Sequence, residues 1–186
     1  TRFRNVTGVQ TCALPISQAF YIPLNLHCMD ITFLEMPARA EGGGGVGQTK
    51  GRVYKTHPNS AEGLGEFAAM DIRTGRLLWR HRTRGTMSSA ALTTGGGLVV
   101  VGDSDRNLYI HDVATGKILF QTRLSNAVGG FPITYTVRGR QYLAIPTSTG
   151  SPQGWLDVAE DVIKDQPFPT NANMLYVFAL SDGSKQ

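Results

Sequence analysis

The stretch AMDIRTGRLLW at 69–79 recurs as IHDVATGKILF at 110–120, an offset of 41 residues. Both copies read as a strand ending in Asp (Asp71, Asp112), a turn closed by Thr-Gly (Thr74 and Gly75, Thr115 and Gly116), and a strand ending in an aromatic (Trp79, Phe120). Each part has a physical role. The carboxylate can accept from the turn's backbone amides, and glycine takes the positive φ of a tight hairpin. The aromatic is large enough to fill the space between neighbouring sheets. A degenerate third copy, YVFALSDG, lies at 176–183.

Around these hairpins lie short apolar or alternating runs bounded by glycines, the spacing of an antiparallel meander. Runs at 20–24, 66–70 and 77–80 predict one sheet; 88–92, 98–101, 108–111 and 118–122 predict a complete four-stranded sheet; 133–137, 141–145 and 174–180 begin another. Four strands per repeat of this length is β-propeller arithmetic. The expected fold is all-β, a partial propeller of about two to three four-stranded blades. Two long connections, 30–65 and 147–173, break the rhythm, and such length in a compact domain points to function. Within the second, Trp155, Leu156, Val158, Ala159, Val162 and Ile163 share one helical face opposite Asp157, Glu160 and Asp161. That periodicity predicts a short amphipathic helix, closed by Pro167 and Pro169.

Residues 6–16, VTGVQTCALPI, match codon for codon the translation of a common short-read sequencing adapter, so 1–16 is expected to be adapter-derived and 17–186 native. Removing Arg2 and Arg4 lowers the basic count from 18 to 16 against 14 acidic residues, which takes away support for a nucleic-acid partner. Cys28 then stands alone, so no internal disulfide is expected. No apolar run approaches the length of a membrane-spanning helix. The absence of a signal peptide carries no weight behind an adapter junction.

Residue chemistry by itself names no reaction. His27, His57, His81 and His111 lack metal-ligand spacing with one another or with Cys28 and read as surface or turn residues. Cys28 reads as a buried, inert thiol. The glycine-rich 42–47 has neither the strand-then-helix setting nor the Lys-Ser/Thr of a phosphate loop. The polar GDSDR at 102–106 reads as a strand-to-strand turn holding an Asp–Arg pair, with ion binding as the alternative.

Four stretches together resemble the quinoprotein alcohol dehydrogenases, the eight-bladed propeller enzymes that use pyrroloquinoline quinone (PQQ): YIPLNLHCMD at 21–30, TTGGGLVVVGDSDR at 93–106, GFPITYTVRGRQYLA at 130–144 and NMLYVFAL at 173–180. The Asp-x-x-Thr-Gly-x-x-x-Trp hairpin is similar to that family's tryptophan-docking motif, with Trp79 in the docking role and Phe120 in its place one repeat later. The resemblance implies a periplasmic parent enzyme that oxidises an alcohol or sugar by hydride transfer to PQQ held near the propeller axis with Ca²⁺ or a lanthanide. An Asp base takes the alcohol proton, and cytochrome c or ubiquinone accepts the electrons. The family's metal-binding Glu and Asn, catalytic Asp, its partner Arg and the vicinal cysteines would fall before residue 17, so no catalytic or metal residue is expected in this chain, which alone should be inactive. Two cofactor-facing positions fall inside it. One aligns with Ser88 and the other with the loop at Gly150; the expected cofactor-lining residues are Ser88, Thr149, Gly150 and Ser151, with a role as small turn residues left open. Methanol dehydrogenases place Trp at both positions, so the pattern is expected to sit nearer the glucose or broad-alcohol branches. The alternative function is a non-catalytic PQQ-like scaffold of the outer-membrane assembly type; a WD40-type module would need a Trp-Asp pair that is absent.

Overall fold

In the computed structural model, the repeat becomes two antiparallel hairpins. The residues described are 12–14, 17–35, 41, 49–60, 63–148, 158, 162–165, 169 and 171–180. Strand β5 (Gly65–Asp71) turns into β6 (Leu77–Thr83), and β9 (Asn107–Asp112) into β10 (Ile118–Arg123). Asp71 Oδ1 accepts from the amides of Arg73 and Thr74 and from the Thr74 hydroxyl at 2.8–2.9 Å. Asp112 Oδ1 accepts the same set from Ala114 and Thr115. These donors, those of Thr74 and Thr115 foremost, hold both carboxyls below the usual carboxylate range. Gly75 and Gly116 sit at φ +68° and +71°, where a side chain would be strained.

Three sheets follow in chain order. The first runs β1 (Cys12–Leu14), β2 (Ala19–Asn25), β5, β6. The second runs β7 (Leu92–Thr93), β8 (Leu98–Gly102), β9, β10, and is the expected complete blade. The third is β11 (Ile133–Val137), β12 (Arg140–Thr147), β13 (Met174–Ala179). All pairs within the three sheets are antiparallel. β1 lies within the segment expected to be adapter-derived; its pairing uses backbone groups that any sequence supplies.

The sheets pack face to face through two separate cores. Ala19, Tyr21, Phe67 and Ala69 of blade 1 meet Val99, Val101 and Tyr109 of blade 2, with Trp79 against them. Val100, Leu108 and Val128 meet Ile145, with Leu143, Tyr176 and Phe178 alongside, between blades 2 and 3. Trp79 docks as the motif requires: its Nε1 donates to Val113 O at 2.9 Å, and a Cβ on Gly116 would lie 2.5 Å from the indole. The ring stacks on His111 at 5.7 Å and 20°. One repeat later Phe120 meets Phe178 edge-on at 6.3 Å and 71°.

Two expectations change. The strand expected at 88–92 is only Leu92–Thr93, preceded by single bridges from Met87 to Asp103 and from Ser89 to Gly130. This segment crosses from blade 1 to blade 2, and its amides bond alternately to the end of β8 and to the crossing that follows β10: Ser88 N to Gly102 O and Ala90 N to Gly130 O. The long connection 30–65 contains a second hairpin, β3 (His27–Phe33) with β4 (Thr49–Thr56). In the other connection, Val158 and Val162 are helical as expected and Ile163 is not; the remaining residues of the expected helix lie outside the described residues.

Candidate functional site

Connections in an antiparallel meander alternate between the two ends of the strands. The inter-blade crossings 84–91 and 124–132, the turn 103–106 and both long connections therefore emerge at one end, which we call the rim. The two-residue hairpin turn at 138–139 and the Asp-Thr-Gly turns occupy the other.

At the rim the three blades are stitched together by short polar bonds. Asn25, the last residue of β2, accepts from Met87 N through Oδ1 at 2.7 Å. Ser88, 7 % exposed, donates its hydroxyl to Val128 O at 2.8 Å. Ser89 Oγ accepts from Gly102 N at 2.7 Å. Ser148 N donates to Ala127 O and Gly129 N to Pro146 O at 3.0 and 3.2 Å. Such close approach needs small residues: a Cβ on Gly102 would sit 2.3 Å from Val128. The structure thus places Ser88 in a crossing that meets the 127–130 strip, which in turn meets the outgoing end of β12. Thr149, Gly150 and Ser151 follow directly in sequence but lie outside the described residues.

Sequence reasoning missed Asn25, whose only signal was its place just before the first long connection. It is exposed, and among the described residues its amide nitrogen makes no other polar contact. With Oδ1 held by Met87, the amide plane is fixed and its two N–H donors are left for an acceptor at the rim.

The GDSDR turn is a turn as expected, with a different pairing. Asp105 accepts from Arg123 at 2.8 Å and lies 3.9 Å from Arg84, so its cations come from other elements rather than from Arg106. Asp103 is fully buried, accepting from Asn107 N at 2.9 Å and from Tyr109 OH at 3.0 Å. Burial pushes its carboxyl up to about 6 despite those donors, and pushes the Tyr109 phenol up as well. Among the described residues no three His, Cys, Asp or Glu side chains are grouped to hold a metal ion.

Two histidine readings and the cysteine reading are corrected. His111 is a core residue between blades 1 and 2, fully buried with Nδ1 2.9 Å from Gly116 O, and the half-buried His81 meets Tyr109 edge-on at 4.9 Å. Burial lowers both, His81 to about 4. His111 stacks on Trp79, and His81 meets His111 at 5.1 Å. His57 keeps a turn role, accepting from Asn59 N at 3.1 Å. Cys28 is exposed, because it lies on the β3–β4 hairpin, a two-stranded sheet separate from the blades.

Residues 65–143 match the family described as PQQ: glucose/ethanol/alcohol dehydrogenase, beta-propeller domain. This stretch belongs to that family. Over 144 residues the chain is 34 % identical to methanol dehydrogenase [cytochrome c] subunit 1 of Methylobacterium organophilum, covering 76 % of this chain and 22 % of the relative. Over 133 residues it is 29 % identical to the quinoprotein ethanol dehydrogenase of Pseudomonas putida, covering 70 % and 20 %. The chain thus spans about a fifth of these relatives. Among solved structures, a europium-containing methanol dehydrogenase superimposes with a TM-score of 0.74 at 24 % identity, covering 91 % of this chain and 32 % of that one. The quinohemoprotein alcohol dehydrogenase from Comamonas testosteroni gives 0.65 at 19 %. At these identities the superpositions establish the shared PQQ-type propeller fold. Methanol dehydrogenases match at 30–34 % identity and the ethanol dehydrogenases at 29 %.

Proposed function

We propose that the protein of which this chain forms a part is a periplasmic PQQ-dependent alcohol dehydrogenase, and that the rim of these blades lines its cofactor. The family match over 65–143 carries the reading. PQQ, when bound, supplies the two-electron acceptor for the alcohol's hydride. The residues of this chain contribute binding and orientation. PQQ is a planar molecule rich in carbonyl and carboxylate acceptors, and the exposed Asn25 amide offers donors where the blades meet. Ser88 contributes by fixing the wall, because its hydroxyl already holds blade 2's crossing to Val128. Thr149, Gly150 and Ser151 are proposed to continue that lining. A Ca²⁺ or lanthanide ion would take its ligands from parts of the protein other than the described residues. Cytochrome c is the proposed electron acceptor, from the printed name of the methanol-oxidising relatives, with ubiquinone as acceptor and a sugar as substrate the finer alternatives.

The test is expression of the complete coding sequence with PQQ and either Ca²⁺ or a lanthanide. The expected result is stoichiometric PQQ in the purified protein, alcohol-dependent dye reduction and recovery from the periplasmic fraction. Asn25→Ala should weaken PQQ retention while leaving the fold intact. A folded protein that neither retains PQQ nor reduces dye with any alcohol or sugar would overturn the reading.

A further inference from the structure

The two long connections belong to blades 1 and 3, which are not neighbours, yet they meet. Tyr54 of β4 and Leu64, where the chain returns to β5, form one buried cluster with Val158 and Ile163 of the blade 3 connection; all four are at most 7 % exposed. Val158 and Val162 are both helical, and Val162 packs on the same cluster. His27 meets Tyr54 edge-on at 5.5 Å from the other strand of the hairpin. Beside the cluster Arg84, in the crossing from blade 1 to blade 2, pairs with Asp165 of the blade 3 connection and lies 3.9 Å from Asp105 of blade 2. This cluster shares no residue with either inter-blade core.

We propose that Tyr54 is a positioning residue: it seats the blade 3 connection against the blade 1 hairpin, across blade 2, so that the two rim excursions are held as one unit. The apolar part dominates. The Arg84–Asp165 pair is exposed at 48 % and 81 %, a setting in which ion pairs contribute little. Removal of four large apolar surfaces from water is the stronger term, and the pair selects the register in which they meet. Blade 3 leaves the rim at Thr147 and Ser148, so the joint fixes from outside the direction taken by the strand end beside Ser88's contact, Val128. The consequence for cofactor retention rests on the function proposed above. The joint itself is measurable without the cofactor, so the two fail separately.

Amide hydrogen exchange on the full 186-residue chain tests it, comparing wild type with Tyr54→Ala, Tyr54→Phe and Val158→Ala. Tyr54→Ala should speed exchange across 158–165 on the order of tenfold or more, the response of a locally opened unit. Tyr54→Phe should restore protection, since the ring and not the hydroxyl fills the cluster. Val158→Ala should reciprocally loosen 49–56, and 98–112 of blade 2 should stay protected in every variant. Unchanged exchange at 158–165 in Tyr54→Ala, or at 49–56 in Val158→Ala, would overturn the proposal. So would equal loosening of 98–112, which marks general destabilisation.

Discussion

At the residue scale, the buried polar side chains between the blades make stability pH-dependent in two opposing ways. His81 is held neutral, at about 4 in the fold against 6.5 in an unfolded chain, and His111 is lowered too. Below 6.5 the unfolded state takes up protons that the fold refuses, so this contribution is fully present above 6.5 and is lost as pH falls toward 4. Asp103 has the opposite sign. Its folded value of about 6 exceeds the unfolded 3.8, so its contribution is complete below 3.8 and lost as pH rises through 6, leaving a buried carboxylate at neutral pH. Asp103→Asn should therefore gain stability relative to wild type as pH rises from 4 to 7, read from denaturant midpoints at each pH. A constant difference across that range would refute the assignment. The same scale explains the docking tryptophan. Val113 O accepts from both Trp79 Nε1 and Tyr21 OH, at 2.9 and 3.1 Å. Trp79→Phe leaves that carbonyl satisfied and should cost only about 0.5–1.5 kcal/mol. Trp79→Ala empties the slot against His111 and Gly116 and should cost about 3–5 kcal/mol.

At the element scale, the repeat tells which hairpins should matter most. Gly116 must be glycine for two reasons that add: φ is +71°, and a Cβ would strike the Trp79 indole. Gly75 has the first reason alone, with open space around it. Gly75→Ala should cost roughly 1–2 kcal/mol from backbone strain, and Gly116→Ala measurably more, as thermal unfolding of the pair would show. What the sequence made legible follows the same division. The hairpins were readable because Asp71, Thr74 and Gly75 recur with a local mechanism. The strand runs around them were readable from alternation and glycine spacing. The β3–β4 hairpin was not, because 42–47 dominates that stretch with glycine while HCMDITF mixes polar and apolar residues without period. Ser88 was placed at the rim by resemblance, but its bond to Val128 and the exposed amide of Asn25 are long-range facts that no local pattern carries. His81 and His111 looked like surface residues for the same reason: only the stacking of two blades half-buries the first and fully buries the second.

At the scale of the whole molecule, blade 3 presents two unequal faces. Leu143, Ile145, Tyr176 and Phe178 face blade 2, and the alternate positions point the other way. There Ile133, Tyr135, Val137, Leu175 and Val177 are 40–66 % exposed, brought onto one face by the register of Ile133 with Ala144 and of Ala144 with Val177. A contiguous apolar sheet face of this kind is what a neighbouring blade covers in a propeller. The chain as it stands should therefore self-associate and melt without a single cooperative transition. Sedimentation and thermal scans over a range of concentrations should show mass rising with concentration and a broad, concentration-dependent transition. The double substitution Ile133→Lys and Leu175→Lys should reduce association, since both side chains lie on the uncovered face and none of the blade 2 contacts of Ile145 or Phe178 is touched. A wild-type chain that stays monomeric and unfolds cooperatively would show that three stacked sheets already suffice for a stable unit.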